Sequence, residues 1–320
     1  MKITIASGKG GTGKTTVACN LLLTLAAGEF ADRPEKLTFL DCDVEEPNAH
    51  IFLKPTITRT EEVGLLIPEV NPELCTYCGR CAEVCAFNAI TVIGKNVLVF
   101  PELCHGCGSC TYNCPTGAIT EVLKPTGRLE WGSVAVGGNA ISFGQGVMNI
   151  GEAMATPIIK KLKQQGLAED TEALAILDAP PGNSCPVVET MRGADFVLLV
   201  TEPTPFGLHD LQAAVQVARG ELGLPVGVVI NRVGIGDEGV EEFCAAHDVP
   251  VLLRIPLDRR IAEAYAEGIP MVEVFPEYRD AFEQLYRRIL SAAAERVSGR
   301  AASDARDSST AGQKTALRSE

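Results

Sequence analysis

Gly8-Lys9-Gly10-Gly11-Thr12-Gly13-Lys14-Thr15 decides how this 320-residue chain is read. It follows Lys2 to Ala6, a short apolar run, and opens Thr15 to Ala27, a stretch of good helix formers with an apolar face. A glycine-rich loop set between a strand and a helix is the phosphate-binding arrangement. Gly8, Gly10, Gly11 and Gly13, with Thr12 and Thr16 beside them, let backbone N–H groups converge on phosphate oxygens where the helix N-terminus adds positive potential. Lys14 is expected to reach the β- and γ-phosphates, and the Thr15 hydroxyl to ligate Mg2+. Lys9 brings a second ammonium group to the front of the loop, and its repulsion with Lys14 calls for a polyanion to offset it.

Outward from this loop, short apolar runs recur at Leu37 to Leu40, Leu174 to Leu177, Phe196 to Val200, Val226 to Ile230 and Val251 to Ile255. Helical stretches such as Leu211 to Arg219 and Ile261 to Glu267 separate them, which predicts an α/β, doubly wound, mostly parallel sheet. Ligands of such sheets sit beyond the carboxyl ends of the strands. Asp41-Cys42-Asp43, Asp178 and Asn231-Arg232 each stand at such an end, and a carboxylate there suits a Mg2+ shell. Taken singly, each also fits a strand-end cap; their joint order points to one site.

Between the first and second of these carboxyl-end segments the texture changes. Asn71 to Glu121 is crowded with cysteine and glycine, and Pro72-Glu73-Leu74-Cys75 returns as Pro101-Glu102-Leu103-Cys104. Cys75-x2-Cys78-x2-Cys81-x3-Cys85 and Cys104-x2-Cys107-x2-Cys110-x3-Cys114-Pro115 reproduce the bacterial two-cluster ferredoxin run. In that run the fourth cysteine serves the other cluster. The expected sets are Cys75, Cys78, Cys81 and Cys114 on one 4Fe-4S cluster, and Cys85, Cys104, Cys107 and Cys110 on the second. Zinc is the competing metal, although zinc ribbons pair two CxxC units and stop at four thiolates per ion. Ala86 stands where proline usually follows the fourth cysteine, a change beside a ligand that removes none. Alternating Val134, Val136, Ile141 and Phe143 around Gly137-Gly138 predict a hairpin within Thr126 to Val147 that leads back into the larger domain.

Lys9-Gly10-Gly11-Thr12-Gly13-Lys14-Thr15 resembles the deviant Walker A motif of the MinD, ParA, Mrp and nitrogenase iron protein group. With the cysteine runs it resembles one subfamily, MinD-superfamily P-loop ATPases with an inserted ferredoxin domain. The likeness spans Met1 to about Val297, including Thr201-Glu202-Pro203-Thr204-Pro205-Phe206-Gly207 and Ile255-Pro256-Leu257-Asp258. It implies ATP/ADP, Mg2+ and two 4Fe-4S clusters as cofactors, and an ATP-dependent homodimer in which Lys9 reaches the partner's nucleotide. It further implies that Lys9, Lys14 and Asp43 are catalytic, Asp43 orienting the attacking water, with Asp178 as the Walker B aspartate and Asn231 reading adenine. The expected organisation is an ATPase domain over 1–65 and 125–297, a ferredoxin domain over 66–124 and a disordered tail over 298–320. Cys185, seven residues after Asp178, resembles the switch-linked cluster cysteine of the nitrogenase iron protein, but no matching cysteine precedes Asp178.

Composition narrows the function. A net charge of −13 opposes sequence-independent nucleic-acid binding, and no apolar run approaches the ~20 residues of a membrane span. Met1 to Ser7 reads as a strand rather than a signal peptide, and the 12 cysteines then suggest metal ligation in a cytoplasmic protein rather than disulfides. Cys19, Cys42 and Cys244 read as core, and His105 as an exposed turn residue. The expected function is nucleotide-gated electron transfer or metallocofactor maturation with a redox or maturation partner, without nucleic acid or a membrane anchor. The alternatives are a MinD- or ParA-like positioning switch with structural or sensory clusters, and an ATP-dependent synthetase, for which no second catalytic domain is evident.

Overall fold

Strands that are apolar along their whole length are buried on both faces, and here they stack side by side in a computed structural model that describes residues 1–168 and 172–294. In chain order the elements are β1 (Lys2–Ala6), α1 (Lys14–Ala27), β2 (Leu37–Asp41), α2 (Ala49–Leu53), β3 (Thr56–Val70), α3 (Arg80–Glu83), β4 (Ile90–Ile93), β5 (Asn96–Val99), α4 (Ser109–Tyr112), β6 (Ile119–Val136) and β7 (Asn139–Met148). They continue with α5 (Thr156–Gly166), β8 (Leu174–Asp178), α6 (Cys185–Met191), β9 (Phe196–Thr201), α7 (Pro205–Val215), β10 (Val226–Val233), α8 (Gly239–Ala246), β11 (Val251–Pro256), α9 (Arg259–Ala266) and α10 (Met271–Val274). A further helix covers 276–294. The expected tail over 298–320 lies outside the described residues.

Nine strands form one sheet in the order β11-β10-β9-β1-β8-β2-β7-β6-β3. The pairs from β11 through β7 are parallel, so the α/β expectation holds, while β6 and β3 close one edge in antiparallel fashion. One face carries Ile3, Ile5, Phe39 and Phe143 against α1 and the 276–294 helix; Phe39 and Phe143 stack with centroids 6.0 Å apart. The other face packs Leu40 and Leu177 against α5, and Ala6 and Leu199 against α6 and α7. Parallel register aligns Asp41 with Asp178 and Ile5 with Asp178, which brings the carboxyl ends of β1, β2 and β8 to one line.

The helix expected over Leu211 to Arg219 begins earlier, at Pro205, and its last turn over Gln216–Glu221 is a π-helix. Pro205 and Gly207 read as turn residues in sequence, yet proline suits the first helical position, and the Thr204 hydroxyl caps the helix by accepting the Gly207 N–H at 3.0 Å.

The expected hairpin is β6 and β7, turned at Gly137 and Gly138, both in the left-handed region. Its first strand is far longer than the pattern suggested, because it also pairs with β3 from Thr56↔Ser133 to Val70↔Ile119. The ribbon runs across 65/66 and 124/125, with a register shift at Val63/Gly64 where a side chain on Gly64 would meet the Lys124 backbone. Beyond its end, between Val70 and Ile119, lie the two cysteine runs with α3, α4 and the β4–β5 hairpin.

Candidate nucleotide site and cysteine pockets

Gly11 and Gly13 take positive φ values of 78° and 96°, which lets the loop turn its peptide groups inward at the start of α1. Below it the Thr15 hydroxyl donates to Asp178 Oδ2 at 2.5 Å, and the other oxygen, Oδ1, is buried without a partner. An orphaned carboxylate oxygen beside a threonine hydroxyl has the donor chemistry of a Mg2+ shell, so Thr15 and Asp178 fit that ion. A cavity of about 340 Å³ opens above, lined on one side by Gly10, Lys14, Thr15, Thr16 and Asp43. Its far side is Asn231, Arg232, Tyr265 and the turn from Ile255 to Asp258. Asn231 Nδ2 donates to the Thr12 carbonyl at 2.8 Å and so ties the far wall to the phosphate loop.

Electrostatics favour a cationic or metal-bridged ligand here. Burial pushes the Asp178 carboxyl up to about 7, against the opposing pull of Lys14 and the Thr15 hydrogen bond. Burial likewise lifts Asp43 to about 6, again opposed by Lys14. Asp41 is also raised, by burial and then by Asp178, and accepts the N–H groups of Asp43, Asn48 and Ala49. Sequence reading gave Asp41 no role of its own. The spacing of two residues from Asp43 was the available signal, and the Asp41↔Asp178 register explains why it matters.

Lys9 is not brought to the cavity. Its ammonium pairs with Glu202 at 3.2 Å, and Arg232 holds the second oxygen of Glu202. Gly8 also stands back, against the Asp210 backbone. Glu202 belongs to the Thr201 to Gly207 segment, whose charge pattern gave no hint of a lysine partner in the phosphate loop.

The eight clustered cysteines fall around two cavities. Cys75, Cys78, Cys81 and Cys114 line one, walled by Val70, Val92, Val97 and Ile119; Cys85, Cys104, Cys107 and Cys110 line the other, walled by Leu66, Pro68, Phe87 and Ile90. Peptide N–H groups point at sulfur in both: Tyr77 and Ala118 to Cys75 and Cys114, and Ala89 and Gly106 to Cys85 and Cys104, at 3.3 to 3.5 Å. The ribbon orders the two, since Leu66 and Pro68 precede Val70 on β3; the Cys85 cavity is the one nearer the sheet. His105 stacks on Phe87 with centroids 3.7 Å apart beside Cys104 and Cys107, a contact the sequence did not suggest. Cys19, Cys42 and Cys244 are buried, and Cys185 is exposed at the start of α6.

Raised carboxyls set a pH dependence. Over the interval from 3.8 to about 7 the folded chain keeps a proton on Asp178 that the unfolded chain has released, so stability falls as pH rises through that window. Replacing Asp178 with asparagine removes this contribution. In the absence of nucleotide and Mg2+, the urea midpoint of Asp178→Asn is expected to exceed that of the native chain at pH 8 and to match it more nearly at pH 4, while Mg2+-dependent nucleotide binding is lost. An equal or lower midpoint at pH 8 would contradict the assignment of a buried, uncompensated carboxylate.

The family described as CobQ/CobB/MinD/ParA nucleotide binding domain matches residues 3–271. An uncharacterized protein of Methanocaldococcus jannaschii is 32% identical over 286 residues, 88% of this chain and 93% of that protein. An iron-sulfur cluster carrier protein of the same organism is 27% identical over 141 residues, 39% of this chain and 47% of that protein. Among solved structures, the cell division ATPase MinD of Pyrococcus furiosus superposes with a TM-score of 0.52 at 23% identity, covering 91% of this chain and 98% of that one, a likeness of fold. Among the described residues no helix is long and apolar enough to cross a membrane.

Proposed function

Because the chain belongs to the CobQ/CobB/MinD/ParA nucleotide-binding family, we propose that it binds and hydrolyses ATP and uses that cycle to gate electron transfer or metallocofactor maturation through two 4Fe-4S clusters. The observation that carries this reading is the partition of the cysteines: each cavity takes three from one run and the fourth from the other, on a ribbon whose strands belong to the nucleotide sheet. Among the described residues no three His, Cys, Asp or Glu side chains gather closely enough for one metal ion. Three cysteines of one run with the fourth of the other match the ligation pattern of two-cluster ferredoxins, whereas a zinc ribbon pairs two CxxC units on one ion.

In this reading Lys14 and the phosphate-loop amides hold the triphosphate, and Asn231, next to the cavity's apolar far wall, receives the adenine. Thr15 and Asp178 would hold Mg2+, which would supply positive charge to offset the phosphates. Asp43, deprotonated above about pH 6, orients the attacking water. Lys9 serves the nucleotide of a second copy in an ATP-dependent homodimer, for which it must leave Glu202. When bound, the clusters supply one-electron carriers; Cys75, Cys78, Cys81 and Cys114 would hold one, and Cys85, Cys104, Cys107 and Cys110 the other. The partner is a redox or maturation protein of the cytoplasm.

Anaerobically purified protein is expected to carry about eight iron atoms per chain. The electron paramagnetic resonance spectrum of its reduced state should change on adding Mg-ATP. Zinc in place of iron would remove the redox half of the reading. Iron with spectra and reduction rates identical with and without ATP would remove the gating.

A further inference from the structure

Helix α5 touches each part that a nucleotide-driven movement has to connect. In its last turn, Lys163 is 8% exposed, and its Nζ donates to the carbonyls of Glu189, Thr190 (3.1 Å) and Arg192 (2.8 Å) at the end of α6. The segment just before α6 borders the cavity beside the phosphate loop: Pro181 lines it, and the Gly182 N–H donates to the Ser7 carbonyl at 3.0 Å. Ile158 of α5 shares a core cluster with Val44, next to Asp43, and the Val44 carbonyl accepts the Met148 N–H at 2.8 Å.

The two ends of this stretch reach the cysteine ribbon. Just before α5, Met154 packs on Leu65, Ile67, Ala89 and Cys104, and Glu152 pairs with Lys124 of β6 at 3.6 Å. Near the C-terminal end, Gln165 donates to both carboxylate oxygens of Glu61 on β3, at 3.0 and 3.1 Å, and accepts from Arg59 at 3.3 Å.

Capping α6 does not by itself call for such a lysine. An exposed side chain would satisfy the same carbonyls with its charge hydrated, whereas burial disfavours the ammonium and pulls the Lys163 pKa down. An ammonium has three donors, and here three carbonyls take them, so α6 cannot slide along α5 without breaking the set. Packed helices shift as units rather than deform, so a displacement of α6 is passed on to α5.

We propose that α5 carries the nucleotide state from α6 to the Cys85 and Cys104 cavity, with Lys163 as the positioning residue. This rests on the gating reading above and adds its route.

The test is hydrogen exchange on the full, anaerobically purified chain, with and without the Mg2+ complex of β,γ-imido-ATP, alongside the spectrum of the reduced protein. In the native chain the analogue should slow exchange across 149–155 by about tenfold and alter the spectrum. Lys163→Met should bind the analogue within about threefold of native affinity and keep its iron, yet change exchange there by less than about twofold. If Lys163→Met does not fold, Gln165→Ala decides: it should lose at least about half of the native response at 59–63. Native-like responses in Lys163→Met, or in Gln165→Ala where that variant decides, would overturn the route and leave gating standing. A native spectrum that responds while 149–155 stays silent does the same. A native spectrum that ignores the analogue would overturn gating itself.

Discussion

Lys14→Ala will lower ATP turnover by at least about a hundredfold, more than the loss of one phosphate contact accounts for. Lys14 is buried, and it is the group that opposes the rise of both the Asp43 and the Asp178 carboxyls. Without it both carboxyls move further up and hold protons near neutral pH, so Asp43, proposed to orient water, and Asp178, proposed to face Mg2+, are lost together. Lys14→Arg will not restore turnover, because a planar fork cannot place a point charge where the loop's amides converge on one phosphate. Raising the assay from pH 7 to pH 9 should recover part of the Lys14→Ala loss by ionising the two carboxyls, whereas the native chain gains little above pH 8. Turnover within about tenfold of native, or a loss with no dependence on pH, would contradict this coupling of lysine to carboxyls.

The nucleotide half of the molecule was legible because its signals are local. A glycine loop between an apolar run and a helix, and acids at the ends of later runs, are fixed by short-range sequence, and the parallel register then brings Thr15 and Asp178 into contact. Glu202 was hidden because its partners, Lys9 and Arg232, are remote in sequence and meet only across neighbouring strand ends. β3 was hidden for another reason. Thr56 to Glu62 is polar but for Ile57 and largely exposed, so the period-two pattern that marks a half-buried strand is missing there, and pairing with β6 supplies what propensity does not. Lys163 gave no signal at all: a lysine in a helix rich in lysine and glutamine reads as solvated until its end-on contact with α6 is seen. The cysteine runs stand between these cases, since spacing predicts the crossed sets but not which cavity lies nearer the sheet.

That crossing has the sharpest consequence. Cys114→Ala will drop iron from about eight to about four atoms per chain, and so will Cys85→Ala, but from opposite cavities. Single variants cannot separate crossed from sequential ligation, because either scheme loses one cluster. Paired variants can. Cys114 shares its cavity with Cys75, so adding Cys75→Ala to Cys114→Ala strikes a cluster already lost and leaves about four irons. Cys104 lines the other cavity, so Cys104→Ala added to Cys114→Ala should leave almost none. Sequential ligation predicts the reverse for both pairs. The crossed outcome also fixes which cluster remains in Cys114→Ala: the one held by Cys85, Cys104, Cys107 and Cys110, whose cavity packs on Leu65 and Met154. Its spectrum should still answer to nucleotide, while the survivor in Cys85→Ala, one step further along the ribbon, should answer more weakly. A nucleotide response confined to the Cys85→Ala survivor would place the coupling at the far cavity and contradict the order set by β3.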